Sequence, residues 1–186
     1  MIPLPDKKYS IIYSDPPWRY NARNNPKARF GLGVDGHYDT MTMKEILALP
    51  VVDIAEDNCA LFLWTTFPYL NKQMAVFDAW GFKYKTLGFS WLKTNKGNGK
   101  PFFGIGYYAK SNLEVCLMGI RGKMKPVSNY VSSVVISPRE EHSKKPSVVR
   151  DRIVELFGDI PRIELFARDS AEGWDSWGLE APDIAP

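Results

Sequence analysis

Short apolar runs alternate along the chain with segments in which apolar residues recur at helical spacing. Continuous apolar runs of this kind, bounded by polar or glycine-containing segments, are typical of buried strands. We predict five strands, which cover residues 9–13, 59–64, 82–92, 113–120 and 163–167.

Three segments between these runs carry the signals of helix ends. A capping-box pattern at residues 42–45 opens a short helix that we expect to end at Pro50. Further helices are predicted over residues 68–81 and 145–158, each closed by a glycine. Strands and helices in alternation favour an α/β fold with a mainly parallel central sheet flanked by helices. Neither a repeat nor a linker interrupts the pattern, so we expect a single domain over residues 1–186.

The composition is that of an ordinary globular protein, with 45% hydrophobic and 24% charged residues. Cys59 and Cys116 both lie within apolar runs, so we expect buried free thiols rather than a disulfide or a metal site. No apolar segment approaches the length of a membrane span, and the first residues lack the apolar stretch of a secretory leader. These features predict a cytoplasmic protein.

The net charge of +3 conceals two strongly basic segments. Residues 93–125 contain seven basic residues and one acid, and residues 19–29 contain four basic residues and no acid. A surface that follows a phosphate backbone needs such a local excess, although a solvated loop can also be basic by chance. The candidates for contacting a nucleic acid are Tyr20, Asn21, Arg23, Lys93, Lys96 and Lys100.

The tetrapeptide Asp15-Pro16-Pro17-Trp18 follows the first predicted strand. Ligands of open α/β sheets bind at the carboxyl ends of strands, and this motif suits the exocyclic amine of adenine. That nitrogen is a poor nucleophile, and its two hydrogens need acceptors when it attacks a methyl group. Asp15 and the carbonyl of Pro16 could accept them, with Pro17 keeping the turn rigid and Trp18 stacking on the base. A strand-ending turn without chemistry is the alternative interpretation.

From residue 9 to residue 180 the chain resembles the MT-A70 family of adenine methyltransferases. The segments that carry the resemblance are IIYSDPPWRYN, LFLWTT, AWGFKYKT, GYYAKSNLEVCLMGIRGK, EEHSKKP and RIELFARDSAEGWDSWG, in this order. The resemblance implies a Rossmann-like methyltransferase fold with permuted motif order and S-adenosylmethionine as cofactor. It also implies direct transfer to the 6-amino nitrogen of adenine, without a metal ion.

The resemblance also implies roles for individual residues. Asp15 and Pro16 are expected at the target amine, Asp15 also near the cofactor's amino group, and Lys145 near its methionine carboxylate. Arg168 is expected at the cofactor's ribose or carboxylate. The remaining wall of the cofactor site is assigned to Asp169, Ser170, Gly178 and Glu180.

One position departs from the family pattern, because Leu179 stands where an asparagine usually faces the ribose. This departure keeps open a catalytically silent nucleic-acid-binding subunit as an alternative. Trp64 either lines the base pocket or belongs to the core. DNA is favoured over RNA as substrate, and cytosine methylation is disfavoured because such enzymes usually carry serine at the Asp15 position. The short chain leaves room for a homodimer or a partner subunit in target recognition.

Overall fold

The computed structural model describes residues 2–19, 40–104, 108–139, 144–179 and 181. Tyr20, Asn21, Arg23 and Glu180, which the sequence analysis assigns to substrate or cofactor, lie outside these ranges.

One seven-stranded sheet runs through the described part of the chain, in the order β5-β3-β4-β2-β1-β6-β7. Its strands are β1 (Tyr9–Ser14), β2 (Ala55–Thr65), β3 (Lys83–Thr94), β4 (Leu113–Arg121), β5 (Val134–Pro138), β6 (Arg162–Leu165) and β7 (Asp175–Trp177). The five predicted strands are confirmed, with ends that differ by a few residues. The prediction missed β5 and β7, which lie at the two edges.

Six of the seven strands run in the same direction. The pairs β1–β2, β1–β6, β6–β7 and β3–β5 are parallel, whereas β4 is antiparallel to both β2 and β3. The mainly parallel sheet and the Rossmann-like fold class are therefore confirmed. Because β4 is reversed, it begins at the edge where its neighbours end, and Glu114 is paired opposite Trp91 near the end of β3. That edge also carries Asp15, directly after β1.

The helices are α1 (Met43–Leu47), α2 (Leu70–Gln73), α3 (Ala75–Ala79) and α4 (Val148–Phe157). The predicted capping box of α1 is present, since the Thr42 hydroxyl accepts from the Glu45 backbone N–H and Glu45 accepts from that of Thr42. The predicted single helix over residues 68–81 is instead a 3₁₀ turn followed by α2 and α3. Gly81 ends this segment at a φ of 82°, which favours glycine.

Apolar side chains pack on both faces of the sheet. Ile12, Leu61 and Leu63 face one layer, which includes Trp18 and Trp80, and the alternate residues Ile11, Phe62 and Trp64 face the other, which includes Ile153 of α4. Alternate residues of a strand point to opposite faces, so β1 and β2 are buried on both.

Cys59 and Cys116 are buried free thiols, as predicted, and burial raises the pKa of Cys59 to about 12. Within the described ranges, no helix is long and apolar enough to cross a membrane, and no group of three or more metal-binding side chains could hold an ion.

The close packing of α3 on the sheet predicts a strong effect at Gly119 of β4. A Cβ atom there would lie 2.4 Å from a ring carbon of Phe77. We expect Gly119→Ala to lower the free energy of unfolding by about 1–3 kcal/mol, measured by urea denaturation. Gly97→Ala is the matched control, because its Cβ would meet nothing within 4 Å. Equal stability of the two variants would contradict this packing.

Candidate active site

An ion pair between Asp15 and Lys145 forms the centre of the site. Lys145 Nζ donates to Asp15 Oδ2 at 2.6 Å. The side chain of Lys145 is 13% exposed and that of Asp15 is 20% exposed. Asp15 follows the last residue of β1, and Lys145 lies three residues before α4. Only one carboxylate oxygen is used in this contact, so Asp15 retains acceptor capacity for a further hydrogen bond.

The surroundings of the pair shift the pKa values of both Asp15 and Lys145. Burial raises the pKa of Asp15, Glu114 adds to this effect, and the charge of Lys145 opposes it. Burial alone would lower the pKa of Lys145, but the carboxylates of Asp15 and Glu114 raise it above its ordinary value. Lys145 therefore stays charged, and its cation offsets part of the effect of burial on the pKa of Asp15.

Glu114 extends the pair into a row of alternating charges. Its Oε2 lies 3.5 Å from Lys145 Nζ, and its Oε1 accepts a hydrogen bond from Lys93. Although burial opposes ionisation of Glu114, the two lysines lower the pKa of this carboxyl. This role of Glu114 was not predicted from the sequence. The available signal was its position as the single acid among the basic residues of segment 93–125.

The contact with Glu114 bears on the predicted role of Lys93 in binding a nucleic acid. Its ammonium is held by Glu114 and lies 5.2 Å from the centroid of the Trp91 ring. Its side chain is 22% exposed, so the structure brings Lys93 into the charged row beside the site. Its predicted contact with a nucleic acid stays a prediction.

Two aromatic side chains, Trp64 and Tyr13, lie next to the ion pair. Trp64 is 1% exposed, and its ring centroid lies 5.4 Å from Lys145 Nζ. Its indole N–H donates to the hydroxyl of Tyr13 at 2.7 Å, and burial raises the pKa of Tyr13 well above its ordinary value. Trp64 is thus a core residue that also contacts the charged row through its ring.

A cavity opens beside Asp15 at the carboxyl ends of β1 and β6. Its lining consists of Tyr13, Asp15, Lys144, Lys145, Pro146, Arg150, Glu164, Phe166, Arg168 and Asp169. Three residues that the resemblance assigns to the cofactor besides Asp15 are therefore brought together, namely Lys145, Arg168 and Asp169.

The shape of this cavity depends on the turn after β6. Phe166 has a φ of 63°, a left-handed conformation that is unusual for a large residue. Strain of this kind persists only where surrounding contacts enforce it, and here Phe166 packs edge-on against Trp177 of β7 at 5.3 Å between ring centroids.

Arg150 of α4 was not predicted as a site residue. It donates to Glu164 at 2.8 Å and to Asp169 at 3.2 Å, so it joins the helix to the end of β6. Lys144 adds a second cation at 2.9 Å from Asp169. The positive and negative groups of the wall are thus arranged in pairs around the cavity.

The other residues assigned to the cofactor lie nearby on the chain but differ in exposure. Ser170 is exposed. A Cβ on Gly178 would lie 2.9 Å from the carbonyl oxygen of Ala167, so only glycine lets this segment approach the end of β6. Leu179 is 74% exposed and therefore does not belong to the core.

The Asp15-Pro16-Pro17-Trp18 turn is held by its own backbone. The Pro16 carbonyl accepts from the Trp18 backbone N–H at 2.8 Å, and the Pro17 carbonyl accepts from that of Met41 at 2.8 Å. A carbonyl oxygen has two lone pairs, so Pro16 keeps one for a ligand. Trp18 is 7% exposed, and its indole N–H donates to the Trp64 carbonyl at 3.3 Å. Its ring therefore lies mostly in the core.

The predicted basic loop adjoins the start of α4. Lys96 and Lys100 are exposed, and Lys96 lines a groove with Ser137 at the end of β5 and with Pro146 and Ser147. Lys145 directly precedes Pro146 in the sequence, so this part of the groove wall follows the ion pair along the chain.

Comparisons with known proteins identify a family and related methyltransferases. The profile of the family described as MT-A70 matches residues 9–180. Type II methyltransferase M.MunI of a Mycoplasma species is 36% identical, over 97% of this chain and 81% of that protein. A putative N(6)-adenosine-methyltransferase MT-A70-like protein of Medicago truncatula is 27% identical, over 95% of this chain and 27% of its own length. The human N(6)-adenine-specific methyltransferase METTL4 is 25% identical, over 94% of this chain and 38% of its own length.

The charged row predicts opposite changes in the pKa of Asp15, to be measured by carbon-detected NMR titration of its carboxyl group. Lys145→Met should raise this pKa further, because the cation lowers it in the wild type. Glu114→Gln should lower it, because the nearby negative charge raises it. Lys8→Met, at an exposed lysine, is the control and should leave it unchanged. An Asp15 pKa that does not rise in Lys145→Met would refute the ion pair.

Proposed function

The chain belongs to the MT-A70 family, and from this membership we propose that it methylates the exocyclic 6-amino nitrogen of adenine in DNA, with S-adenosylmethionine as the methyl donor. The observation that carries the proposal is the buried Asp15 carboxylate, held by Lys145 at the carboxyl end of β1. An acceptor in this position suits an amine whose nitrogen becomes positive, and whose hydrogens become more acidic, as it reacts.

The residues of the turn define the chemical step. Asp15 accepts one hydrogen of the adenine amine, and the free lone pair of the Pro16 carbonyl accepts the other. S-adenosylmethionine supplies an electrophilic methyl group on a sulfonium. The nitrogen–carbon bond forms as the carbon–sulfur bond breaks, the sulfur becomes a neutral thioether, and the nitrogen loses one proton to solvent by way of Asp15. No covalent enzyme intermediate is needed.

The charged row fits the methionine part of the cofactor. That part carries an ammonium and a carboxylate, and the site offers Asp15 for the former and Lys145 for the latter. Both groups are already ordered by each other, so little side-chain entropy is lost on binding. Arg168, Asp169, Ser170 and Gly178 would form the wall on the ribose side.

The choice of DNA rests on the similarity to M.MunI, a type II methyltransferase that aligns with nearly all of this chain. The plant relative is an N(6)-adenosine-methyltransferase by name, at lower identity. In a duplex the amine lies within the base stack, so the target adenine must be flipped out or presented in a single strand.

The test uses S-adenosylmethionine with a labelled methyl group and matched DNA and RNA oligonucleotides, single- and double-stranded, followed by nucleoside analysis. We expect labelled N6-methyldeoxyadenosine. Label found in RNA alone would show that RNA is the substrate. Label in cytosine would show that cytosine is the methylated base. Failure to bind S-adenosylmethionine in calorimetric titration would indicate the catalytically silent subunit.

Asp15→Ala should reduce methylation by a factor of about one hundred or more, because a preorganised electrostatic group is lost. The melting temperature should fall, because Lys145 loses one of its two carboxylate partners, so turnover is measured at a temperature where the variant is folded. Asp6→Ala, which removes an exposed carboxylate, is the control. A variant that retains more than a tenth of wild-type turnover would remove Asp15 from the reaction.

Replacing Lys96 and Lys100 together with alanine should weaken DNA binding and flatten its salt dependence. Each phosphate contact that is lost reduces the slope of log affinity against log salt by about 0.9 for duplex or about 0.7 for single strands. Lys93 is left intact, because Glu114 already pairs with it. The control replaces Lys83 and Lys85, which are exposed at the opposite end of β3, with alanine. It removes the same charge and should leave the slope unchanged. Equal slopes for both double variants would show that the loop does not contact the backbone.

A further inference from the structure

A second cavity lies at the carboxyl ends of β1 and β2. Its lining consists of Trp18, Arg19, Met41, Thr42, Met43, Tyr69, Lys72 and Gln73. It shares no lining residue with the cavity beside Asp15. The two cavities are nevertheless joined through the chain, because Asp15 and Trp18 belong to the same four-residue turn.

Gln73 is the unusual member of this lining. Its side chain is fully buried, and its Oε1 accepts a hydrogen bond from the Thr66 backbone N–H at 2.9 Å. Its amide nitrogen, in contrast, has no hydrogen-bond partner among the described residues. An amide donor that is removed from water without an acceptor costs free energy, so this N–H₂ group beside a cavity calls for an acceptor from outside the chain.

The rest of the lining has the chemistry of a nucleotide site. Trp18 and Tyr69 supply aromatic surface, and Arg19 and Lys72 supply exposed cations at the rim. Lys72 Nζ lies 5.8 Å from the Tyr69 ring centroid, and Arg19 is positioned by two hydrogen bonds to Thr40, each of 3.1 Å. Aromatic side chains beside cations bind bases and phosphates together.

We propose that this cavity takes the base of the nucleotide that flanks the target adenine, and that Gln73 determines which base is accepted. The proposal rests on the proposed function. The occupant is a flanking base rather than the target, because Asp15 does not line the cavity and the target amine must reach Asp15.

The orientation of the Gln73 amide sets the preference. Since Thr66 holds Oε1, only the N–H₂ group is available, so Gln73 presents donors alone. A donor pairs with the O6 of guanine or the O4 of thymine, whereas adenine and cytosine carry an amino group at the corresponding position. A keto-bearing base, guanine or thymine, is therefore accepted at this flanking position.

The test is an equilibrium selection from DNA pools in which one adenine is fixed and its neighbours are randomised, with S-adenosylmethionine present. Bound molecules are sequenced, so the readout does not depend on methyl transfer. Wild-type protein should enrich guanine or thymine on the order of tenfold at one flanking position. Gln73→Glu, which replaces the donor by an acceptor of the same shape, should shift enrichment to adenine or cytosine there and nowhere else.

Two further variants keep the result interpretable. Asn71→Asp changes an exposed amide to a carboxylate on the same helix, α2, and should keep the wild-type preference. Gln73→Met, an apolar side chain of similar length, should lose the preference at that position, and a melt establishes that each variant is folded. If Gln73→Glu does not fold, Gln73→Met alone decides the outcome.

The outcomes separate the two proposals. No base preference in the wild type, or an unchanged preference in a folded Gln73 variant, would overturn the role of Gln73. If the pool shows the preference but nucleoside analysis finds no methyladenine, the proposed reaction fails while the flanking-base site stands.

Discussion

The contact between Asp15 and Lys145 is the interaction on which the rest of the site depends. Two charges that are largely removed from water are tolerated only when each has a partner, and removal of one leaves the other uncompensated. The distance of 2.6 Å therefore fixes the approach of α4 to the end of β1, although the two residues are 130 positions apart. The reversal of β4 then places Glu114 next to the same lysine.

The pair also prepares the site for a ligand that carries both charges. Asp15 and Lys145 neutralise each other, and under the proposed function the ammonium of a zwitterion would contact Asp15 and its carboxylate would contact Lys145, with the ion pair intact. The row continues through Glu114 to Lys93, so the charge of Lys145 is shared by two carboxylates. Such a network keeps Lys145 protonated.

The sequence predicted the elements whose burial is continuous and missed those whose burial is partial. Strand β1 is buried along nearly all its length, whereas β5 alternates between exposed and buried residues and has an apolar run of only three, at 134–136, which is too short to identify a strand. Strand β7 has three residues. Hydrophobic periodicity carries no information about strand direction, so the reversal of β4, and with it the position of Glu114, could not be predicted. Asp15 and Lys145 could be predicted because the motifs around them are specific.

The two proline residues at positions 16 and 17 connect the chemistry to the second cavity. Proline fixes its own φ, and the backbone bonds from Trp18 to Pro16 and from Met41 to Pro17 leave the turn little freedom. Asp15 at one end lines the cavity at the carboxyl ends of β1 and β6, and Trp18 at the other lines the cavity of Gln73. Under the two proposals, this turn sets the separation between the target base and its neighbour. A base that fits poorly beside Gln73 would consequently displace the target amine from Asp15, so that recognition and reaction are coupled through three peptide bonds.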